Sequence, residues 1–314
     1  MRTLVVEISG RRPGNWKQRP TERQIFSRDH VIISNDLTGY VTEWPTILVP
    51  DDFRAEYEAK RRNTDTNAWL PGMNRSYAIK YARENGYDYC VQLDDNISIF
   101  NCSYKTQTED GIEKTYRVNR SSTLADEQIT FMEAVAQNTN AAMVGMSMNG
   151  TIPGQIFLSE AYCYSFFLLD LKKCPDYFQG DFEDDIDFRM KCVQMNAPTI
   201  MICPFRYGKN GQYSTKDTTG NREAYNKAGK QRGEHMRKLY GDTYTAGIDN
   251  KTPFVRGSKQ PTFRHRLQVI KCGVVYKDYD ELYRQMLGWL ADHAQKVEDE
   301  IVIYENDKRW QDQK

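Results

Sequence analysis

The run Tyr87-Asp88-Tyr89-Cys90-Val91-Gln92-Leu93-Asp94-Asp95-Asn96 is an apolar segment that stops in two carboxylates and an amide. A hydrophobic strand ending this way delivers hard oxygen ligands to the carboxyl edge of a sheet, where open α/β folds bind ligands and where a metal-bridged diphosphate would sit. The plainer alternative is a turn capped by acidic residues after a buried strand. A second group stands at Gly180-Asp181-Phe182-Glu183-Asp184-Asp185-Ile186-Asp187-Phe188-Arg189, five acids in seven residues. The helix dipole favours carboxylates in a first turn. Five like charges this close still cost stability unless a cation, a basic partner or a shifted pKa compensates, and such clusters are enriched where an acid or base is needed.

The elements around these groups read as an α/β domain. Leu4–Ile8, Val31–Ser34 and Ile47–Val49 are short β-branched runs closed by turn residues, with connectors short enough to keep the strands close together. Between Asn74 and Asn85, Tyr77, Ala78, Tyr81 and Ala82 recur at helical spacing, and Gly86 stands where a C-terminal cap is expected. A helix feeding the strand that ends at Asp94, after earlier strands, is the grammar of a mainly parallel sheet. Cys102 to Ser122 is polar and predicts a surface excursion or hairpin; a helix follows from near Thr123 with Ile129, Met132 and Val135 on one face. Ala142–Met148, Tyr162–Leu169 and Thr199–Cys203 predict further strands, with the acidic helix starting at Glu183 and a polar, glycine-bearing loop from Gly208 to Gly220. Arg222–Tyr240 reads as a basic helical segment, and Asp280–Ile301 as a longer helix with Leu282, Met286, Leu290 and Val297 turned inward. We expect a domain over residues 1–240 and a C-terminal extension over 241–314 whose long helix packs on the core.

At 314 residues and 39% hydrophobic content the chain buries a sizeable core. Lys plus Arg and Asp plus Glu both number 43, so attraction to nucleic acid must come from local basic patches. The seven cysteines show no C-x-x-C pair, which argues for reduced thiols and against a zinc site. No segment approaches a membrane span, and the start Met1-Arg2-Thr3-Leu4-Val5-Val6-Glu7 turns polar too soon for a signal peptide, so a cytoplasmic location is expected.

Together the two acidic groups resemble glycosyltransferases of the GT-A fold, a mixed, mainly parallel sheet flanked by helices. In that family a strand ends in a D-x-D-type motif and a later E-D-x-D-like helix start supplies acceptor-side carboxylates. The resemblance covers roughly residues 1–240. It implies that Asp94, Asp95 and Asn96 hold Mn²⁺ or Mg²⁺ against the diphosphate of a nucleotide sugar, a UDP-sugar being expected. Asn96 departs from the motif, since an amide is a weaker, uncharged ligand, and this puts metal dependence in question. Pro71-Gly72-Met73-Asn74-Arg75-Ser76 resembles the family segment whose Arg organises donor phosphates, which assigns that role to Arg75. A narrower resemblance rests on Arg19-Pro20-Thr21, Val31-Ile32-Ile33-Ser34, Tyr40, Ile47-Leu48-Val49-Pro50 and Leu93-Asp94-Asp95-Asn96-Ile97. These are similar in order and spacing to TET-associated glycosyltransferases, found mainly in bacteriophages, which implies a hydroxymethylated pyrimidine in DNA as acceptor.

Glycosyl transfer requires the leaving diphosphate to be neutralised, and Arg11, Arg75, Arg206 and Lys209 are the candidate cations beside Asp94 and Asp95. If configuration is inverted, an acceptor hydroxyl needs a base; Asp185 is the first candidate by analogy and Asp184 the second. Gly208-Lys209-Asn210-Gly211-Gln212-Tyr213-Ser214 reads as a loop able to close over the donor, and His235 as a late metal ligand. For a DNA acceptor, Lys230, Arg232, Arg256, Lys259, Arg264 and Arg266 are the expected phosphate contacts. The competing expectations are a GT-A enzyme acting on a polysaccharide or small acceptor, a nucleotidyltransferase, and an inert sugar- or DNA-binding relative.

Overall fold

Thr3–Ser9 (β1) is buried along its whole length, as its Thr-Leu-Val-Val-Glu-Ile-Ser sequence demands of a strand covered on both faces. A computed structural model describes residues 1–10, 27–42, 44–61, 71–107, 113–119, 124–148, 156–179, 184–209, 236–241, 245–249, 262–266 and 271–305, with parts of the later segments as backbone only. Asp29–Ser34 (β2) and Thr46–Leu48 (β3) follow; β2 pairs with β1 in parallel, and β3 pairs with β2 in parallel. Asp51–Lys60 (α1) and Pro71–Glu84 (α2) then lead to Tyr89–Asp94 (β4), which pairs with β1 in parallel. Gly86 closes α2 at φ +71°, with the Tyr87 amide donating to the Ala82 carbonyl at 3.0 Å, the left-handed cap that the sequence called for.

The remaining strands are Ile97–Gln107 (β5), Glu113–Asn119 (β6), Met143–Met148 (β7), Leu158–Glu160 (β8), Phe166–Asp170 (β9) and Thr199–Lys209 (β10). They complete a ten-stranded sheet ordered β3-β2-β1-β4-β9-β7-β10-β5-β6, with β8 attached to β10. Seven of these strands run one way and β5, β8 and β9 the other, which is the mixed, mainly parallel arrangement expected. The polar stretch after Cys102 is a hairpin, but one built into the sheet: Tyr104 and Tyr116 face each other across it and both are buried.

Two expectations are corrected. The strand predicted to end at Cys203 continues to Lys209. Gly208 is therefore a buried strand residue opposite Ile99, and Lys209 pairs with Ile97; the rest of the expected loop, 210–220, lies outside the described residues. Phe205 and Tyr207, alternating inward, and the antiparallel partner offered by β5 carry the strand on past Pro204.

Helices cover both faces of the sheet. Leu124–Asn138 (α3) and Tyr279–Glu305 (α5) bury Ile129, Met132, Val135, Leu282, Met286 and Leu290 in one cluster with Val5, Leu93 and Phe166. On the other face α1, α2 and Asp184–Gln194 (α4) bury Phe53, Ile79 and Phe188 with Val6, Cys90 and Phe167. Helix α5 is thus seated in the main core, and Trp289 Nε1 donates to Glu127 Oε2 at 2.8 Å. Thr245–Asp249 (β11) and Thr262–Arg266 (β12) form a separate two-stranded sheet, so part of the basic stretch expected to contact DNA is strand. Among the described residues no helix is long and apolar enough to cross a membrane.

Candidate active site

The registers bring three strand ends level: Ile8 lies beside Asp94, and Ser9 beside Ser34. This carboxyl edge is where an open sheet receives a ligand. The first turn of α2 and the start of α4 reach the same edge, and a glycine lets α2 pack closely on Tyr57 of α1. A Cβ on Gly72 would lie 2.6 Å from Tyr57 Oη and 3.4 Å from Asp184 Cβ, so no larger residue fits without a shift. Tyr57 Oη donates to the Phe178 carbonyl at 2.6 Å and the Phe178 amide to Ser76 Oγ at 2.9 Å, holding the segment that leads toward α4.

Arg75 joins the two acidic groups. Its Nη2 lies 2.5 Å from Asp94 Oδ1 and its Nε 3.5 Å from Asp184 Oδ2, with the guanidinium over the rings of Phe167 and Phe178 at 5.2 and 5.8 Å. The side chain is only 5% exposed. Burial alone would lower its pKa; the charges of Asp94, then Asp184 and Asp185, outweigh that and raise it, so the guanidinium stays charged. A compensating cation for Asp184, and by its charge for Asp185, is therefore supplied by a helix distant in the sequence. Asp187, the other described acid of the group, is fully buried and is met by Lys191 Nζ at 3.1 Å and by the Tyr240 hydroxyl. Of the two candidate bases, Asp184 is buried against Arg75, while Asp185 is half-buried and accepts the Ile186 amide at 2.9 Å.

Asp95 is buried, and its Oδ2 accepts the Ser9 hydroxyl at 2.7 Å; that hydroxyl also meets Tyr40 Oη at 2.5 Å. Asn96 is buried too, and its Oδ1 has no hydrogen-bond partner among the described residues. Among the described residues no three His, Cys, Asp or Glu side chains are grouped so as to hold a metal by themselves. A divalent cation that keeps waters and substrate phosphates needs only one or two protein oxygens, and the orphaned Asn96 carbonyl beside Asp95 meets that smaller requirement.

Arg206 is buried on β10, its pKa lowered by burial and pushed the other way by Cys102 and Cys203. The next residue, Tyr207, is the one that feels the carboxylates: burial and then the charge of Asp94, with a smaller effect of Asp185, raise its phenol, which donates to the Tyr164 carbonyl at 2.6 Å. Lys209, Arg264 and Arg266 lie on described backbone, the last two opposite Gly247 and Thr245, and their side chains lie outside the described set. Arg11, Lys230, Arg232, His235, Arg256 and Lys259 lie outside the described residues. Sequence reasoning missed Tyr207, Ser9, Tyr40, Asn35 and Asn74 as members of this edge. The signals that bore on them were that Ser9 closes a strand, that Asn74 stands beside Arg75 in the family-like segment, and that Tyr40 belongs to the narrower motif, none of which assigned them a role.

The sequence profile of the TET-Associated Glycosyltransferase family matches residues 21–220. The chain belongs to this family. It is a glycosyltransferase, and the nucleotidyltransferase alternative gives way to that match. No curated protein matches the chain. Among solved structures, A197 from STIV is similar at 14% identity over 68% of this chain and 87% of its own, with a TM-score of 0.31. A protein of Desulfovibrio desulfuricans G20 assigned as a nucleotide-diphospho-sugar transferase is 8% identical over 76% of this chain and 98% of its own, at 0.32. The galactosyltransferase LgtC, solved with donor and acceptor sugar analogues, is 11% identical over 62% of this chain and 64% of its own, at 0.26. The family assignment rests on the sequence match and not on these superpositions.

Proposed function

We propose that this TET-associated glycosyltransferase moves a sugar from a nucleotide-sugar donor, a UDP-sugar, to the hydroxymethyl group of a 5-hydroxymethylpyrimidine in DNA. The observation that carries the site assignment is the Arg75 bridge, which gathers Asp94 of the donor edge and Asp184 of the acceptor-side helix around one buried cation, with Asp185 next in the chain. In this reading Asp95 and Asn96 hold Mg²⁺ or Mn²⁺ on the diphosphate. When bound, the metal offsets charge that develops on the leaving group. Asp185, the more accessible of the two acceptor-side carboxylates, takes the proton of the acceptor hydroxyl as its oxygen attacks the anomeric carbon. The bond from that carbon to the phosphate oxygen breaks, and the diphosphate leaves with the electron pair. Asp184, tied to Arg75, positions α4 rather than serving as the base.

Incubation with a panel of nucleotide sugars, Mg²⁺ or Mn²⁺, and DNA carrying 5-hydroxymethylcytosine, followed by mass analysis of the nucleosides, tests the acceptor. A glycosylated base is expected; sugar on a small acceptor with none on DNA would refute the DNA reading. Asp185→Asn is expected to lower kcat about 10²- to 10⁴-fold with donor affinity little changed. An active Asp185→Asn enzyme would remove Asp185 from the base role.

A further inference from the structure

Asn74 and Asn35 form a linked amide pair at the donor edge. Asn74 Nδ2 donates to the Ser9 carbonyl at 2.9 Å and to Asn35 Oδ1 at 3.3 Å. A backbone carbonyl only accepts, so the first bond fixes which way the Asn74 amide faces, and the second then fixes Asn35. What remains is one acceptor, Asn74 Oδ1, and one donor, Asn35 Nδ2. Both are buried and neither has a partner among the described residues. The side chains belong to residues only 2% and 8% exposed, so their unmet groups are not simply facing bulk water.

These atoms sit where β1, β2 and α2 meet. Ser9, which anchors Asn74, also donates to Asp95, so the amide pair adjoins the carboxylate assigned to the diphosphate. Among the described residues the nearest atom to a Cβ built on Gly10 would be Asn35 Oδ1 at 3.9 Å. A phosphate oxygen only accepts and would leave Asn74 Oδ1 unmet, whereas a hydroxyl donates and accepts through a single oxygen, which suits one orphan acceptor and one orphan donor on a linked pair.

We infer that Asn35 and Asn74 read a ribose hydroxyl of the donor nucleotide and so select among nucleotide sugars by their ribose. This rests on the nucleotide-sugar reading given above. The competing occupant of the same niche is a structural water.

The test is equilibrium binding of UDP, GDP, ADP and CDP to the full chain, followed by the 2′-deoxy and 3′-deoxy forms of whichever binds. The expected result is that removing one of the two hydroxyls weakens binding about tenfold or more, because the buried amides are then left unmet. Asn35→Asp keeps the acceptor that Asn74 uses but turns the orphan donor into an acceptor, and Asn35→Ala removes it. Both are expected to reduce the preference to less than about threefold, a change in ratio that a loss of folded protein cannot produce. Thermal melts confirm that each variant is folded. A nucleotide that binds equally well with either hydroxyl removed, or a preference kept in both variants, would overturn the inference and leave the niche to water. A wild-type chain that binds no nucleoside diphosphate would overturn the donor reading itself and this inference with it.

Discussion

At the scale of single residues, Arg75 is the side chain whose loss should be felt most widely. It is buried between Asp94 and Asp184, so Arg75→Ala strands two carboxylates in a poorly solvated place. Removal of one partner from a buried pair costs about 3–5 kcal/mol, and denaturant unfolding of the variant should show a loss of that order. Arg75→Lys keeps the charge but not the fork that reaches both acids, and should recover less than half of the loss. The thiols give a separate prediction. Burial holds Cys163 and Cys174 up at about 12 and raises Cys90, Cys102 and Cys192 as well. A thiol reagent at pH 8 should therefore react slowly with the native protein and fast with all seven cysteines after denaturation. Rapid labelling of the native buried set would contradict the described core.

At the scale of elements, the strands and helices were legible where the information is local. β1, β2, β3 and β4 follow from β-branched or apolar runs with turn residues after them, and α2 from its spacing and the Gly86 cap. The extension of β10 was not legible, because it depends on pairing with β5, far away in the chain, and Pro204 and Gly208 both read locally as an ending. The carboxylates of the site were visible as types and spacing. Their connection through Arg75 was not, since a solvated arginine and a buried bridge have the same sequence. Gly72 is the element-scale weak point: Gly72→Ala places a methyl against the Tyr57 hydroxyl of α1 and the Phe178 carbonyl and should shift the first turn of α2, which carries Arg75. Activity should fall more than stability, since overpacking typically costs about 1–3 kcal/mol while a small misplacement of Arg75 or Asp184 disturbs both acidic groups. A variant with wild-type kinetics would show that this contact does not set the site.

At the scale of the whole molecule, α5 is part of the main core although it comes late in the chain. Leu290→Ala should cost about 2–5 kcal/mol, as a fully buried leucine does, and removal of residues 279–314 should leave no folded domain by circular dichroism. Alkaline pH offers a second global test. Burial, helped by Asp29 at Tyr87 and by Asp170 at Tyr89, raises both phenols to about 12, against about 10 in an unfolded chain. Groups whose folded pKa is raised contribute fully below the unfolded value, so stability should hold to about pH 10 and decline as pH rises toward 12. If DNA is the acceptor, neutralising Arg264 and Arg266 together should weaken duplex binding and flatten its salt dependence by about two phosphate contacts; an unchanged salt slope would exclude β12 as a contact.

The Arg75 bridge also bears on how such enzymes can be recombined. Segments 71–96 and 184–194 are far apart in the chain, yet a single guanidinium answers to both. A chimera that imports one segment from a relative without the other would pair a cation with carboxylates that did not evolve beside it. Homologous exchange should therefore succeed only when the two segments travel together, making them one inherited unit despite the residues between them.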